Sequence, residues 1–193
     1  GLLQRAGAVA FTDDGKPVSD PNRMRLAMQY ATAFDALLME HCEELSLSAE
    51  GAMHEGLHSV SLGLKGIPAA AESAMVARDI LLAETYGARL HICHMSTAQS
   101  AELVRQAKAR GVKVSCEVTP HHFAADDSWV ARSGYDANTK MNPPLRSRED
   151  VEAMLAALAD GTVDAVAPNP APPPRAAKPP ELDRAHHGIV RLH

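Results

Sequence analysis

Three short apolar runs of this chain each end in side chains that could bind a metal ion. Asp13 and Asp14 follow the first run, His41 the second and His94 the third. Each run precedes a stretch with helical periodicity, and buried strands that alternate with helices are typical of parallel sheets. In parallel α/β barrels, residues at the carboxyl ends of the strands face the active site. The pattern therefore predicts a metal site assembled from distant segments.

The strand and helix pattern continues along most of the chain. Five strands are predicted at about residues 7–13, 36–41, 89–94, 112–118 and 163–167. Four helices are predicted at about residues 21–34, 69–86, 97–110 and 148–160, and a long polar loop covers 43–66. This order predicts a parallel sheet with helical crossovers. A complete eight-stranded barrel needs about 250 residues, so we expect 193 residues to hold an incomplete one.

Charge and composition exclude several classes of partner. The formal net charge is −5, which gives no basic surface for nucleic acid. We find no apolar stretch of membrane-spanning length and no signal peptide, so no membrane partner is expected. The chain has three cysteines without paired spacing, which argues against a disulfide framework. We expect a reducing, cytoplasmic location.

Each candidate ligand also has a structural interpretation. Asp13 and Asp14 precede Gly15, so they could form an Asp-Gly turn or supply oxygen ligands to a metal ion. A single histidine at a strand end is more often structural than a ligand, but His41 and His94 occur at equivalent strand ends. His91 lies three residues before His94, so on a straight strand it should face the layer of helices.

Other histidines are less informative. His121 and His122 follow Pro120, where they could line the mouth of the site or be ordinary loop residues. His54, Glu55 and His58 resemble the His-Glu-x-x-His motif of zinc proteases. That motif lies on a helix, whereas this segment contains Gly56 and falls in the predicted loop, so the signal is weak.

At these residues the chain resembles the class I bacterial dihydroorotase family of the amidohydrolase superfamily. Several motifs occur in the family's order: Ala10–Gly15, His41–Glu43, Gly66–Pro68, Ala77–Asp79, His91–Thr97, Glu117–His122 and Asn142–Arg146. The resemblance implies a (β/α)8 TIM barrel of the metal-dependent amidohydrolase type, of which this chain holds about strands 4–8. It also implies interconversion of N-carbamoyl-L-aspartate and L-dihydroorotate in de novo pyrimidine biosynthesis.

The resemblance further implies a metal site and its ligands. It assigns Asp14, His41 and His94 as metal ligands and Asn142 as a contact of the pyrimidine ring. The expected cofactor is zinc, with two ions in the complete enzyme. The expected partners are the small-molecule substrate and further copies of the chain in a homo-oligomer.

Two departures from the family affect the expected activity. The family's His-x-His-x-Arg block is absent and would lie upstream of Gly1. Near the other end, Asn169 stands at the position of the catalytic Asp, and Pro173 stands at that of a substrate-binding His. An amide cannot act as a carboxylate base, so we expect this chain to catalyse poorly. We accordingly divide the chain into a barrel part, residues 1–167, and a divergent Pro-rich tail, residues 168–193.

Two alternative functions remain open. The chain could be a catalytically inactive dihydroorotase-like subunit that acts as a scaffold for aspartate transcarbamoylase. It could also be another cyclic-amide hydrolase, such as an allantoinase or a hydantoinase. Those enzymes place a lysine where Asp14 stands, so Asp14 disfavours them.

Overall fold

Seven strands in the described part of the chain form two parallel sheets. The structure is a computed structural model that describes residues 1–13, 15–168 and 181–185. In chain order the strands are β1 (Ala10–Thr12), β2 (Leu37–Glu40), β3 (Met53–His54), β4 (Gly66–Ile67), β5 (Arg89–Ile92), β6 (Val114–Val118) and β7 (Ala165–Val166). The main sheet has the order β1-β2-β5-β6-β7, and β3 pairs with β4 in the small sheet. Every pairing is parallel.

Helices connect and cover the strands. They are α1 (Leu2–Arg5), α2 (Pro21–Thr32), α3 (Leu45–Ser48), α4 (Leu57–Leu62), α5 (Ala70–Tyr86), α6 (Ala98–Ala109), α7 (Pro120–Ala124), α8 (Ser128–Arg132), a 3₁₀ helix (Ala137–Thr139) and α9 (Arg148–Ala159). None of the helices in the described part of the chain is both long enough and apolar enough to cross a lipid bilayer.

The hydrophobic core lies between one face of the main sheet and the helices α2, α5, α6 and α9. Alternate strand residues point into it, as the pleat of a strand requires. The fully buried members with large side chains are Met24, Met28, Val76, Leu90, Ile92, Met95, Val104, Val118 and Met154. Burying one such side chain contributes about 1.5–3 kcal/mol, so this layer fixes the strand ends where the candidate ligands lie.

Local signals in the sequence explain where the long helices begin and end. Asp20 accepts hydrogen bonds from the backbone N–H groups of Asn22 and Arg23, and Pro21 occupies the first turn of α2. Ser147 and Asp150 form a capping box at the start of α9. A cap of this kind stabilises a helix by about 1 kcal/mol. Gly111, which follows the C-cap residue Arg110 of α6, has a φ of +81°, the left-handed conformation in which many helices end.

The predicted alternation of strands and helices is confirmed, but residues 43–66 are not a simple loop. This segment contains α3, β3 and α4, and it ends at β4. The helices α7 and α8 were also not predicted. Strands of two residues and helices of about one turn are too short to show a hydrophobic period, so sequence periodicity could not find them.

A short piece of the predicted tail packs against the barrel part. Leu182 is buried against Met53 and Val130, and the Lys140 ammonium donates a hydrogen bond of 2.9 Å to the carbonyl of Asp183. The domain boundary at residue 167 stays a prediction.

Candidate metal centre

Two predicted ligands meet at the carboxyl edge of the main sheet. Strands β2 and β5 pair in parallel with Glu40 opposite Ile92, so the residues that follow them emerge side by side. His41 Nδ1 and His94 Nε2 lie 3.0 Å apart, and both side chains are buried. The structure thus brings together two histidines that are 53 positions apart in the chain. Their role as metal ligands stays a prediction.

His94 is held in an unusual environment. Its backbone has a φ of +35°, which is uncommon for a residue other than glycine. Its Nδ1 atom is buried and has no hydrogen-bond partner among the described residues. Burial, followed by the proximity of His41, lowers the pKa of His94 to about 4. The ring is therefore neutral at physiological pH, which is the form that binds metals.

Glu43 joins His41 to Asn142. The Oε2 atom of Glu43 lies 2.8 Å from His41 Nε2 and accepts a hydrogen bond of 2.9 Å from Asn142 Nδ2. Burial alone would raise the pKa of Glu43, but hydrogen bonds from His41, Asn142 and Ser48 lower it to about 2. The predicted ring contact, Asn142, therefore lies within the same hydrogen-bond cluster as the predicted ligand His41.

Asp13 supports the backbone of His41. The N–H group of His41 donates to the two carboxylate oxygens of Asp13 at 3.2 and 3.3 Å. Burial, followed by a hydrogen bond to Asp13, raises the pKa of Glu40 above its usual value, which favours the protonated form of Glu40 beside Asp13. Asp14 lies outside the described residues, and its assignment as a metal ligand stays a prediction.

The prediction for His91 is wrong. His91 pairs in register with Ser115, and its side chain contacts Ser115 Oγ at 2.8 Å and Glu117 Oε2 at 3.3 Å. Its neighbours Leu90 and Ile92 fill the core on the helix side, so His91 faces the opposite side of the sheet. The strand ends at Ile92, and the strand alternation therefore cannot be extended to His94.

His91, Cys93 and Glu117 form a second group that could hold a metal ion. One ligand atom from each lies within 4.8 Å of the others. Histidine, thiolate and carboxylate are all zinc ligands. Burial, with Glu117, Asp13 and Glu40 nearby, raises the pKa of Cys93 to about 12, so its thiol is protonated. In the sequence, Glu117 alternates with the apolar residues of β6. This alternation places Glu117 on the opposite face of the strand from the core, but it does not indicate a metal site.

The donor atoms of His41 and His94 fit a zinc ion better than those of the group formed by His91, Cys93 and Glu117. Two nitrogens bound to one tetrahedral zinc are about 3.3 Å apart, given Zn–N bonds of about 2.0–2.1 Å. His41 Nδ1 and His94 Nε2 lie 3.0 Å apart, so a small opening would admit the ion. In the second group, by contrast, His91 already contacts Ser115 and Glu117 through its two nitrogens, and Cys93 would first have to lose a proton.

A buried ionic network holds the segment after β5. Glu72 accepts hydrogen bonds from the backbone N–H groups of Ser96 and Thr97 at 3.0 and 3.1 Å. It also accepts one from the Ser96 hydroxyl. Arg146 donates to Ser96 Oγ at 3.0 Å and to the carbonyl of Ile67 at 3.1 Å. The sequence alone indicates no role for Glu72, and Arg146 is marked only as the last residue of the Asn142–Arg146 motif.

Three other described histidines, His54, His58 and His122, contact polar protein groups. His122 contacts Thr119 Oγ1 and the carbonyl of Pro143, which supports its structural interpretation. His121 is buried, and its Nδ1 atom has no partner among the described residues. His54 lies 3.4 Å from Arg146, and His58 Nδ1 lies 2.9 Å from Asp127, so these two do not form a protease-like pair. Asn169 and Pro173 lie outside the described residues.

Sequence comparisons identify relatives over the whole chain. Residues 1–100 match the family model described as "Dihydro-orotase-like". The chain is 55% identical over 192 residues to a dihydroorotase of Pelotomaculum thermopropionicum, covering 100% of this chain and 44% of that protein. It is 53% identical to a dihydroorotase of Citrifermentans bemidjiense, covering 100% of this chain and 45% of that protein. The chain thus spans less than half the length of these relatives.

Solved structures share the fold. A dihydropyrimidinase from Brevibacillus agri superposes with a TM-score of 0.80 at 20% identity, covering 97% of this chain and 43% of that chain. A dihydroorotase from Campylobacter jejuni superposes with a TM-score of 0.67 at 15% identity, covering 90% and 47%. Together with the parallel strand order, these matches show that the chain forms part of a TIM-barrel fold, as predicted. The family match over residues 1–100 shows that the chain belongs to the dihydroorotase-like family.

Proposed function

We propose that this chain is part of a zinc-dependent dihydroorotase, which interconverts N-carbamoyl-L-aspartate and L-dihydroorotate in de novo pyrimidine biosynthesis. The observation that carries the proposal is the convergence of His41 Nδ1 and His94 Nε2 at 3.0 Å in a chain 55% identical to a named dihydroorotase. Identity to a D-hydantoinase of the same fold is only 21%. The substrate is therefore assigned from the closer sequence relationship.

The chain's own residues would hold the ion and orient the substrate. His41, His94 and Asp14 are the proposed ligands of the zinc ion. When bound there, zinc would act as a Lewis acid on the amide carbonyl and make a nearby water more acidic. Asn142 would contact the pyrimidine ring from the loop beside His41. Burial keeps His94 neutral and ready to bind metal.

Residue 169 limits the chemistry that this chain can perform. Hydrolysis of a cyclic amide needs a base that takes a proton from water and passes it to the leaving nitrogen. We propose that Asn169 stands at the position of that carboxylate, and its amide cannot bind and release the proton in this way. We therefore propose a functional metal and substrate site with weak turnover, and the exchange at Pro173 should weaken substrate binding as well.

We further propose that the protein is cytoplasmic and associates with other subunits. The three cysteines are free thiols, which is compatible with a reducing cytoplasm. We retain a homo-oligomer and an association with aspartate transcarbamoylase as predictions. The inactive scaffold is less well supported than the enzyme, because a scaffold would not need the converging histidines. The low identity to the D-hydantoinase disfavours hydantoinase activity, and Asp14 disfavours both hydantoinase and allantoinase activity, because those enzymes place a lysine at that position.

Substrate turnover tests the proposal. The zinc-loaded product of the gene and its Asn169→Asp variant would be assayed with L-dihydroorotate, N-carbamoyl-L-aspartate, hydantoin and allantoin. We expect weak turnover of dihydroorotate that rises in the variant, with little or no turnover of the other cyclic amides. Preferred turnover of hydantoin or allantoin would overturn the substrate assignment. Failure of both proteins to act on dihydroorotate or to cyclise N-carbamoyl-aspartate would overturn the proposed activity.

A further inference from the structure

We infer that Glu43 is a positioning residue that fixes the proton on His41 and couples the metal ligand to the ring-binding residue Asn142. The inference rests on the proposed function, since it takes His41 as a metal ligand and Asn142 as a substrate contact. Glu43 itself would touch neither the metal ion nor the reacting atoms. It would act through the two side chains that it binds.

The hydrogen bond between Glu43 and His41 has a defined direction. An ionised carboxylate can only accept, so His41 Nε2 must carry the proton in its 2.8 Å contact with Glu43. In a neutral imidazole the other nitrogen then keeps its lone pair. That nitrogen, Nδ1, is the atom that lies 3.0 Å from His94 Nε2. Glu43 thus selects the form of His41 whose free lone pair faces the proposed zinc site.

Asn142 binds the same carboxylate oxygen as His41 does. Its Nδ2 atom donates to the same Oε2 atom of Glu43 at 2.9 Å. The 3.4 Å approach of Asn142 Nδ2 to His41 Nε2 is therefore a contact between two donors that share one acceptor. Because the amide nitrogen must face Glu43, the orientation of the whole Asn142 amide is set. The carbonyl oxygen of that amide then points away from Glu43. It could accept a hydrogen bond from an N–H group of the pyrimidine ring.

The location of Glu43 also suits a positioning residue. Glu43 follows β2 by three residues, whereas Asn142 comes from the segment between the 3₁₀ helix and α9, 99 positions away. The Glu43 side chain is 13% exposed, so it lies at the border of the buried site rather than in the hydrophobic core. Outer carboxylates that bind the second nitrogen of a ligand histidine orient the ring and increase its basicity. The position and contacts of Glu43 match that arrangement.

Zinc affinity and the protonation of His41 test the inference together. Zinc titrations of the full protein would compare the unmodified chain with Glu43→Ala and the isosteric Glu43→Gln. We expect zinc affinity to fall about 10–100-fold in Glu43→Ala and less in Glu43→Gln, whose amide oxygen can still accept. In the metal-free protein, imidazole ¹⁵N shifts should show His41 protonated at Nε2 and a loss of that preference in Glu43→Ala.

Glu44→Gln is the matched control. Glu44 is adjacent, carries the same charge and accepts from Ser46 rather than from His41. Its variant should keep both the zinc affinity and the His41 tautomer. If zinc binds through His41 and His94 but Glu43→Ala changes neither measurement, the inference fails and the proposed function stands. If the unmodified protein does not bind zinc through these histidines, the metal site of the proposed function fails and the inference fails with it.

Discussion

Arg146 Nη2 lies 3.7 Å from Glu72 Oε2, and both side chains are almost completely buried, with exposures of 2% and 4%. Glu72 belongs to α5 and binds the backbone after β5, whereas Arg146 comes from the segment before α9 and also binds the carbonyl of Ile67. The pair therefore joins four segments of the chain near His94: β4, α5, the segment after β5 and the segment before α9. We expect this ion pair to stabilise the fold rather than to take part in the reaction.

Replacing Arg146 by alanine should destabilise the protein by about 3–5 kcal/mol, because Glu72 would remain buried without its charge partner. Urea unfolding would measure the change. Arg148→Ala is the control: Arg148 pairs with Glu152 on the surface, where both side chains are more than half exposed, and such a pair contributes about 0–1 kcal/mol. Equal effects of the two variants would show that the buried network does not hold these segments together.

Asn142→Ala should weaken the binding of dihydroorotate by roughly tenfold, the effect of losing about one hydrogen bond. Calorimetric Kd values would measure this without requiring turnover. Asn22→Ala is the control, because Asn22 is exposed in the first turn of α2. Unchanged affinity in the Asn142 variant would remove this residue from the ring-binding site.

Asn169→Asp should raise kcat for dihydroorotate hydrolysis by about 10²–10⁴-fold, the usual contribution of a positioned acid–base group. Asn169→Ala should give no increase, so it separates the effect of the new carboxylate from that of losing the amide. If the aspartate variant gains nothing over the alanine variant, residue 169 does not occupy the position of the catalytic base.

His121 should make the protein sensitive to acid. Burial lowers the pKa of His121 from 6.5 to about 4, so the unfolded chain takes up a proton on this ring at a higher pH than the folded protein does. Stability from the neutral ring is therefore present above about pH 6.5 and is lost as the pH falls towards 4. His121→Leu should remove up to roughly 3 kcal/mol of this loss.

Urea unfolding of both proteins at about pH 8 and pH 4.5 would measure the difference. The leucine variant should lose less stability than the unmodified protein between the two pH values. The same loss in both proteins would mean that the folded state can protonate His121 without cost.

The sequence predicts the parallel sheet well, because its strands are apolar runs long enough to identify between long helices. It does not predict the face of His91, because strand alternation stops at Ile92 and the turn at His94 has a positive φ. A period of two residues is informative only while the backbone stays extended.

The sequence indicates candidate residues of the site but not the contacts between them. Family motifs identify His41, His94 and Asn142, but they do not show which side chains bind one another. The contact of Glu43 with Asn142 spans 99 positions, and the ion pair of Glu72 with Arg146 joins α5 to the segment before α9. Such contacts depend on how the strands and loops pack in three dimensions.

The most direct test of the account is the identity of the residues that bind zinc. Zinc affinity would be measured for the unmodified protein and for His41→Ala, His94→Ala and Cys93→Ala, with Co²⁺ absorption as a second readout. The account predicts a loss of roughly 100-fold or more in each histidine variant. It predicts little change in Cys93→Ala and no thiolate-to-cobalt band. Zinc affinity that survives both histidine substitutions but is lost with Cys93, accompanied by a thiolate band, would place the ion at His91, Cys93 and Glu117 and contradict the account.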